Sequence, residues 1–231
     1  LSTDSPVWTP ARHPLARMLR EAAAGAYPPA DGGWLRVSPW KQDLQAILSF
    51  TGRAVLAVSY DVPDSRLEDL GLSGWDGAFA RVLVDLAGPT GWIDSLDVLL
   101  LGTGRGANDG GHGGLVARPD LAKHPRAEYA RRVRTDVQVL GRPETDRNDV
   151  VILAHGVAGL REISGEVDPA HRGHGAGAEL MGLALGAVPE NEVVVASVAP
   201  GNAASLRACL RAGMEPVGSI QLFSSRPEHR L

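Results

Sequence analysis

Apolar and polar positions along this chain fall into short blocks, some spaced for helix and others for strand. Leu15, Met18, Leu19 and Ala22 recur at helical spacing, predicting a helix over residues 15–26 that stops at Tyr27-Pro28-Pro29. The turn Asp31-Gly32-Gly33 leads into an extended piece, residues 34–37, and residues 41–50 are read as a second helix. Ala54-Val55-Leu56-Ala57-Val58 is an unbroken apolar run after Thr51-Gly52, as in a strand buried on both faces. Residues 76–86 read as helix, ended by Gly88-Pro89, and residues 96–101 as strand.

Beyond a glycine-rich stretch at 102–114 the pattern becomes more regular. Residues 121–134 predict a helix rich in arginine, either a solvated face or the wall of a groove that attracts an anion. Strands are expected at 136–140, 150–154 and 160–167, with a turn at 156–159. A helix over 175–188 repeats Leu180, Leu183 and Ala187 at helical spacing, and a β-branched strand follows at 192–198. Residues 202–212 form a helix capped by Asn202 and closed by Gly213, and 217–223 a last strand. The fold class is therefore α/β, with a mixed, mostly antiparallel central sheet flanked by helices and an additional N-terminal α/β lobe. The expected division is a lobe over 1–102, a flexible linker over 103–120 and a second domain over 121–231. Strand–helix–strand order recurs in the first lobe, so it is either a degenerate copy of the second or an unrelated substrate cap.

Composition narrows the function. The chain has 231 residues and a net charge of −4, which argues against a general binder of nucleic acid or of anionic membranes. Its apolar runs, such as 98–101 and 193–198, are too short to span a bilayer, and the first residues lack a signal-peptide pattern. Cys209 is the only cysteine, so no intramolecular disulfide forms and a cytoplasmic location is expected. Trp8, Trp34, Trp40, Trp75 and Trp92 all lie in the first half, as core or as lining for an acceptor pocket.

The candidate chemistry centres on His171-Arg172-Gly173-His174-Gly175-Ala176-Gly177, between a strand and a helix. Glycines let backbone approach a ligand closely, and the first N–H groups of the helix behind them suit a diphosphate. Arg172 adds a charge-assisted hydrogen bond to phosphate. The other glycine loop, Gly102-Thr103-Gly104-Arg105-Gly106, lacks the following helix and the acidic partner of a dinucleotide fingerprint, although a nucleotide-binding module there is an alternative. His171 and His174 have no third ligand nearby, so no metal is expected.

A second segment, Pro200-Gly201-Asn202-Ala203-Ala204-Ser205-Leu206-Arg207-Ala208-Cys209-Leu210-Arg211-Ala212-Gly213-Met214, accompanies the loop after a helix and a strand. Together the two segments resemble the GNAT superfamily of acyl-CoA-dependent N-acyltransferases, over roughly the last hundred residues. The loop is similar to that family's Arg/Gln-x-x-Gly-x-Gly/Ala pyrophosphate motif. The resemblance implies acetyl-CoA as co-substrate, bound by Arg172, Gly173, His174, Gly175, Ala176 and Gly177. It also implies that the strands before the loop and before the Asn202 helix splay, with the pantetheine arm in the gap beside Val167, Asn202 and Ser205. Asn202 can cap its helix as well. The implied partner is a primary amine of a small molecule or protein, and a homodimer is compatible with the family.

Direct transfer to an amine needs a proton acceptor. Glu162, Ser164 and Glu166 alternate along one strand and share a face, so Glu162 and Glu166 are the candidate bases. Many family members carry a tyrosine seven residues after the asparagine as the acid for the departing thiolate; here that position is Cys209. A thiol is acidic enough, at a pKa of about 8.5 against about 10 for tyrosine, but its side chain is shorter. Cys209 also sits on the apolar face with Leu206, as core packing would place it. A catalytically silent acyl-CoA-binding regulator is the alternative function.

Overall fold

The computed structural model describes residues 12–75, 78–107 and 113–227. Helix α1 (Pro14–Ala23) starts at His13, whose Nδ1 accepts a hydrogen bond from the Leu15 N–H at 3.2 Å, with Pro14 in the first turn. Strands β1 (Trp34–Val37), β2 (Gln45–Phe50) and β3 (Arg53–Ala57) follow, then helices α2 (Asp64–Asp69) and α3 (Phe79–Ala87) and the long strand β4 (Trp92–Thr103). The second half runs β5 (Val116–Ala117), α4 (Pro125–Val133), β6 (Thr135–Gly141), β7 (Val150–His155), β8 (Arg161–Glu166), α5 (Ala176–Gly186), β9 (Val193–Val198), α6 (Ala203–Arg211) and β10 (Glu215–Ser224).

The helix expected over 41–50 is instead strand β2, preceded by a tight turn in which Lys41 bridges Leu44. Residues 46–50 are all buried, sandwiched between β3 and β10. A short run buried on both faces carries no period, so its type is decided by its neighbours rather than by its own spacing. Helix α2 was not expected; it is a single short turn that buries only Leu67. The stretch expected as a linker is tied down at its start. The N–H groups of Gly104, Arg105 and Gly106 donate to the carbonyls of Glu192, Leu185 and Val188. Those three donors are already committed and are not available to a phosphate. Residues 108–112 of the expected linker, and 76–77 at the start of the expected third helix, lie outside the described residues.

All ten strands form one sheet in the order β1-β3-β2-β10-β4-β9-β8-β7-β6-β5. Only β1·β3 and β8·β9 are parallel, giving the mixed, mostly antiparallel sheet. The two halves of the chain exchange strands at its centre. β4, from the first half, pairs with β9 and β10, while β10, from the second, pairs with β2 and β4. Successive side chains of β4 serve opposite cores. Leu99 and Leu101 pack with Leu15 and Leu19 of α1, whereas Leu100 packs with Leu180 and Leu185 of α5. Helix α4 covers β7 on one face, with Ala127 and Ala130 against Ile152. Helices α2 and α3 cover β2 and β3 through Leu67, Val82 and Leu83. Among the described residues, no helix is long and apolar enough to cross a membrane.

Leu99 is fully buried at this seam. Leu99→Ala is expected to lower stability by about 2–5 kcal/mol, read from urea unfolding, because a rigid sheet centre cannot collapse into the cavity.

Candidate active site

The site begins where two strands part. β8 and β9 pair only through Arg161 with Val194 and Glu162 with Val195. Beyond that point β8 stays paired with β7 as far as Glu166, and β9 stays paired with β4 as far as Val198. Their facing edges, over 163–166 and 196–198, bond no neighbouring strand. Into this divergence opens a cleft of about 910 Å³. The expected splay is thus present in the geometry.

One end of the cleft is the glycine loop, and a buried network holds it. Asp149 is 1% exposed at the start of β7. One of its oxygens accepts the Asp168 N–H at 2.8 Å; the other takes Arg142 at 3.2 Å and Arg147 at 2.7 Å. Arg142 continues to Glu179 in the first turn of α5 at 2.6 Å. Asp168 in turn accepts the N–H groups of Asn148 and Ala170, each at 2.9 Å. Those two backbone donors hold its carboxyl below the usual aspartate range. Downstream, Gly173, His174 and Gly175 have φ of 100°, 47° and 87° and swing the chain into α5. A Cβ at Gly173 or Gly175 would meet nothing, so the left-handed backbone, not space, calls for glycine there. Gly177 differs: a Cβ would lie 3.1 Å from Ala208, and its absence lets α5 approach α6. The N–H groups of Gly175, Gly177 and Ala178 find no acceptor among the described residues.

Arginines surround this end. Arg172 is largely exposed and reaches Glu166 at 3.3 Å, while Arg126 of α4 holds the other oxygen of Glu166 at 2.9 Å. Arg207 and Arg211 of α6 also line the cleft. Of the two readings of the basic helix, the groove wall fits Arg126 and Arg134, which line the cleft. The solvated face fits Arg131, which is exposed and bonds the Ala122 carbonyl at 2.6 Å.

Val167, Asn202 and Ser205 line the middle of the cleft. Asn202 caps α6 by accepting the Ser205 N–H at 3.1 Å. Cys209 also borders the cleft, but at 3% exposure it belongs to the core formed with α5 and β9. Burial pushes its thiol up to about 11.

The other end is acidic, and the sequence reading missed it. Asp94, Ser95 and Asp97 of β4 line it together with Tyr129 and Arg134 of the α4 region. The Tyr129 hydroxyl donates to Asp94. Glu162, expected as a candidate base, borders a small annex of this end and not the main cleft. It is buried, with one oxygen on Arg134 at 2.6 Å and the other accepting the Val157 N–H at 3.1 Å. Gly156 makes room for it, since a Cβ there would fall 1.7 Å from Glu162 Oε2. Ser164, on the same face, accepts from Arg134 at 3.0 Å. Trp40 and Leu44 close a small annex of this end.

No family model matches the chain, and no curated protein matches it. Among solved structures it is similar to an acetyltransferase of the GNAT family from Colwellia psychrerythraea. That match has 11% identity and a TM-score of 0.39, over 74% of this chain and 77% of the other. A protein ascribed to the same family from Novosphingobium aromaticivorans DSM 12444 matches at 20% identity and a TM-score of 0.35, over 60% and 69%. Likeness at these values carries no argument about the chemistry of this chain.

Asp149→Ala is expected to remove about 3 kcal/mol of stability and to raise hydrogen exchange across 168–175, because it strands two arginines and the Asp168 N–H. Asp168 gives a pH signature. Its folded pKa is depressed, so its contribution is fully present above about 3.9 and is lost as pH falls through the lowered value. Asp168→Asn should flatten that acid limb of the unfolding curve.

Proposed function

We propose that this chain is an acyl-CoA-dependent N-acyltransferase that moves an acetyl group from acetyl-CoA to a primary amine by direct attack in a ternary complex. The observation that carries the reading is the cleft between β8 and β9, open along two unpaired strand edges and ending at free N–H groups of α5. A diphosphate suits that end, where backbone donors and the helix dipole converge. Arg172, Arg126, Arg207 and Arg211 supply cations for its charge and for a further phosphate. The pantetheine arm carries two amides and can bond the open edges of β8 and β9 as a short third strand would. Val167, Asn202 and Ser205 would flank that arm.

The amine nitrogen attacks the thioester carbonyl and the carbon–sulfur bond breaks. Cys209 is a poor proton source for the departing thiolate. An ordinary thiol has a pKa of about 8.5, so transfer from a buried thiol near 11 runs uphill. The thiolate then takes its proton from the attacking nitrogen or from water. No acyl group is placed on Cys209, whose sulfur sits in the core. The departure from tyrosine at this position supports a second reading, a silent acyl-CoA-binding regulator. In either case the first half of the chain contributes to the site through β4.

Coenzyme A at a hundredfold over its Kd should add about 2.7 kcal/mol of stability, a rise in Tm of about 5–10 °C. Arg172→Ala should weaken binding about tenfold or more, as loss of a charge-assisted contact does. No shift with coenzyme A or acetyl-CoA at millimolar concentration would overturn the proposal. Binding without thiol release under any amine would favour the regulator.

A further inference from the structure

Strand β4 is irregular where it borders the cleft. Against β10, Gln221 pairs with Leu96 and Phe223 with Ile93, so Asp94 and Ser95 together stand opposite Leu222 alone. This is a β-bulge, a device that re-aims side chains at the rim of a site. The Asp94 carbonyl at the bulge is satisfied, since Gln221 Nε2 donates to it at 2.8 Å. Regular alternation would send Asp94 and Asp97 to opposite faces of the sheet. With the bulge, Asp94, Ser95 and Asp97 all line the cleft. Asp97 sits one residue beyond the last β4·β9 pair, Val98 with Val198, at the point where β8 has left the sheet edge.

We propose that Asp97 is the general base of the transfer and that the bulge builds an anionic acceptor end, with Asp94 as positioning residue, for a cationic primary amine. The inference rests on the acyl-CoA reading above and adds to it the base and the acceptor class. Asp97 has the right engagement for the task. Among the described residues its side chain accepts one hydrogen bond, from the Ser95 hydroxyl to Oδ1 at 2.8 Å, leaving Oδ2 available. Glu166 is held by two arginines and Glu162 by Arg134 and Val157. Asp94 is pinned by the Tyr129 hydroxyl.

The groups facing Asp97 are known from each element around it. Asp94 and Ser95 come from its own strand, Glu162 from β8, Arg134 and Tyr129 from the α4 region, and Ser197 from β9. Trp40, Leu44, Val133, Val157, Ile220 and Leu222 also border the annex and carry no charge. Burial raises the Asp97 pKa above the usual aspartate range, and the negative charges of Asp94 and Glu162 add to the rise against Ser95 and Arg134. A base raised toward the operating pH accepts a proton more readily.

The amine arrives as an ammonium ion, drawn by the two aspartates. Its first proton passes to Asp97 Oδ2 and from there to solvent. The freed lone pair forms the C–N bond, the C–S bond breaks, and the second nitrogen proton ends on the thiolate sulfur. One amide, one thiol and one released proton balance the step. An amine with a carboxylate beside it meets like charge at this end and is rejected.

The test is Asp97→Asn in the full chain, with acetyl-CoA and a panel of 1,5-diaminopentane, spermidine, glycylglycine amide and glutamate. The wild type should acetylate the cationic amines and leave glutamate slowest. The variant should keep its thermal shift with coenzyme A and lose a hundredfold or more in kcat/KM. The acid limb of the wild-type pH profile, set by the raised Asp97, should vanish with it. A stability readout separates this role from a structural one. A carboxyl with a raised folded pKa binds its proton more tightly when folded, so stability falls as pH rises from the ordinary aspartate range through the raised value. Asp97→Asn should therefore raise Tm at neutral pH, whereas replacing a structural aspartate lowers it. A variant within threefold of wild-type turnover, a lowered Tm, or a preference for glutamate overturns the proposal. A wild type that binds coenzyme A but acetylates none of the panel overturns it while leaving the cofactor cleft standing. A wild type that does not bind coenzyme A removes the acyl-CoA reading itself.

Discussion

A sheet ordinarily keeps its strands paired to their ends, because each unpaired N–H or C=O in a dry interior carries a penalty. Here β8 and β9 pair for two residues and then separate. The divergence is sustained because each strand has a full ladder on its other side, β8 with β7 and β9 with β4. Neither strand needs the other to stay extended. The two open edges are left facing a cleft that water or a ligand must satisfy. Along that gap lie the glycine loop where β8 ends, the Asn202 cap where β9 ends, and the aspartates of β4.

The strand exchange at the centre explains how residues far apart in the chain meet there. β4 could not flank β9 if the first hundred residues folded as a detached cap. Because β10 returns to pair with β2 as well as β4, the first half is laced into the sheet on both sides. Such non-local pairing slows folding, since long loops must close before the contacts form. It also makes the acceptor wall rigid. A bulge on a strand paired along its length with β10 holds its side chains more firmly than a loop would.

How much of this was legible in the sequence depended on the range of the interactions. The loop at 172–177 and the Asn202 cap are local devices: positive φ at glycine, a polar cap before an apolar period. Residue types at fixed spacing announce both. The strand β2 was misread because a run buried on both faces carries no periodic signal, and only its partners β3 and β10 make it a strand. Glu162 and Glu166 were visible as carboxylates on one face, but their arginine partners lie 28 and 40 residues away in sequence, on the α4 region. Asp94 and Asp97 were illegible as a pair. Three apart on a strand they should face opposite ways, and only the pairing register with β10 reveals the extra residue that brings them together.

The charges along the cleft then acquire a direction. Arg126, Arg172, Arg207 and Arg211 gather at the loop end, and Asp94 and Asp97 at the other. Arg134 stands between, but its charge is answered by Glu162, both side chains being about 95% buried. That pair is a structural neutralisation: breaking either member would leave a buried charge and shift the balance at the acidic end. With it intact, the charge pattern would draw the proposed anionic cofactor and the proposed cationic acceptor to separate ends of one cavity. On the proposed reading they would meet where the strands part, with the thioester carbonyl between them. An amine drawn to that acidic end still arrives protonated and unreactive, so the same field that attracts it must also contain a group able to take its proton. In the proposed transfer that group is Asp97, which the bulge in β4 brings to the same side as Asp94.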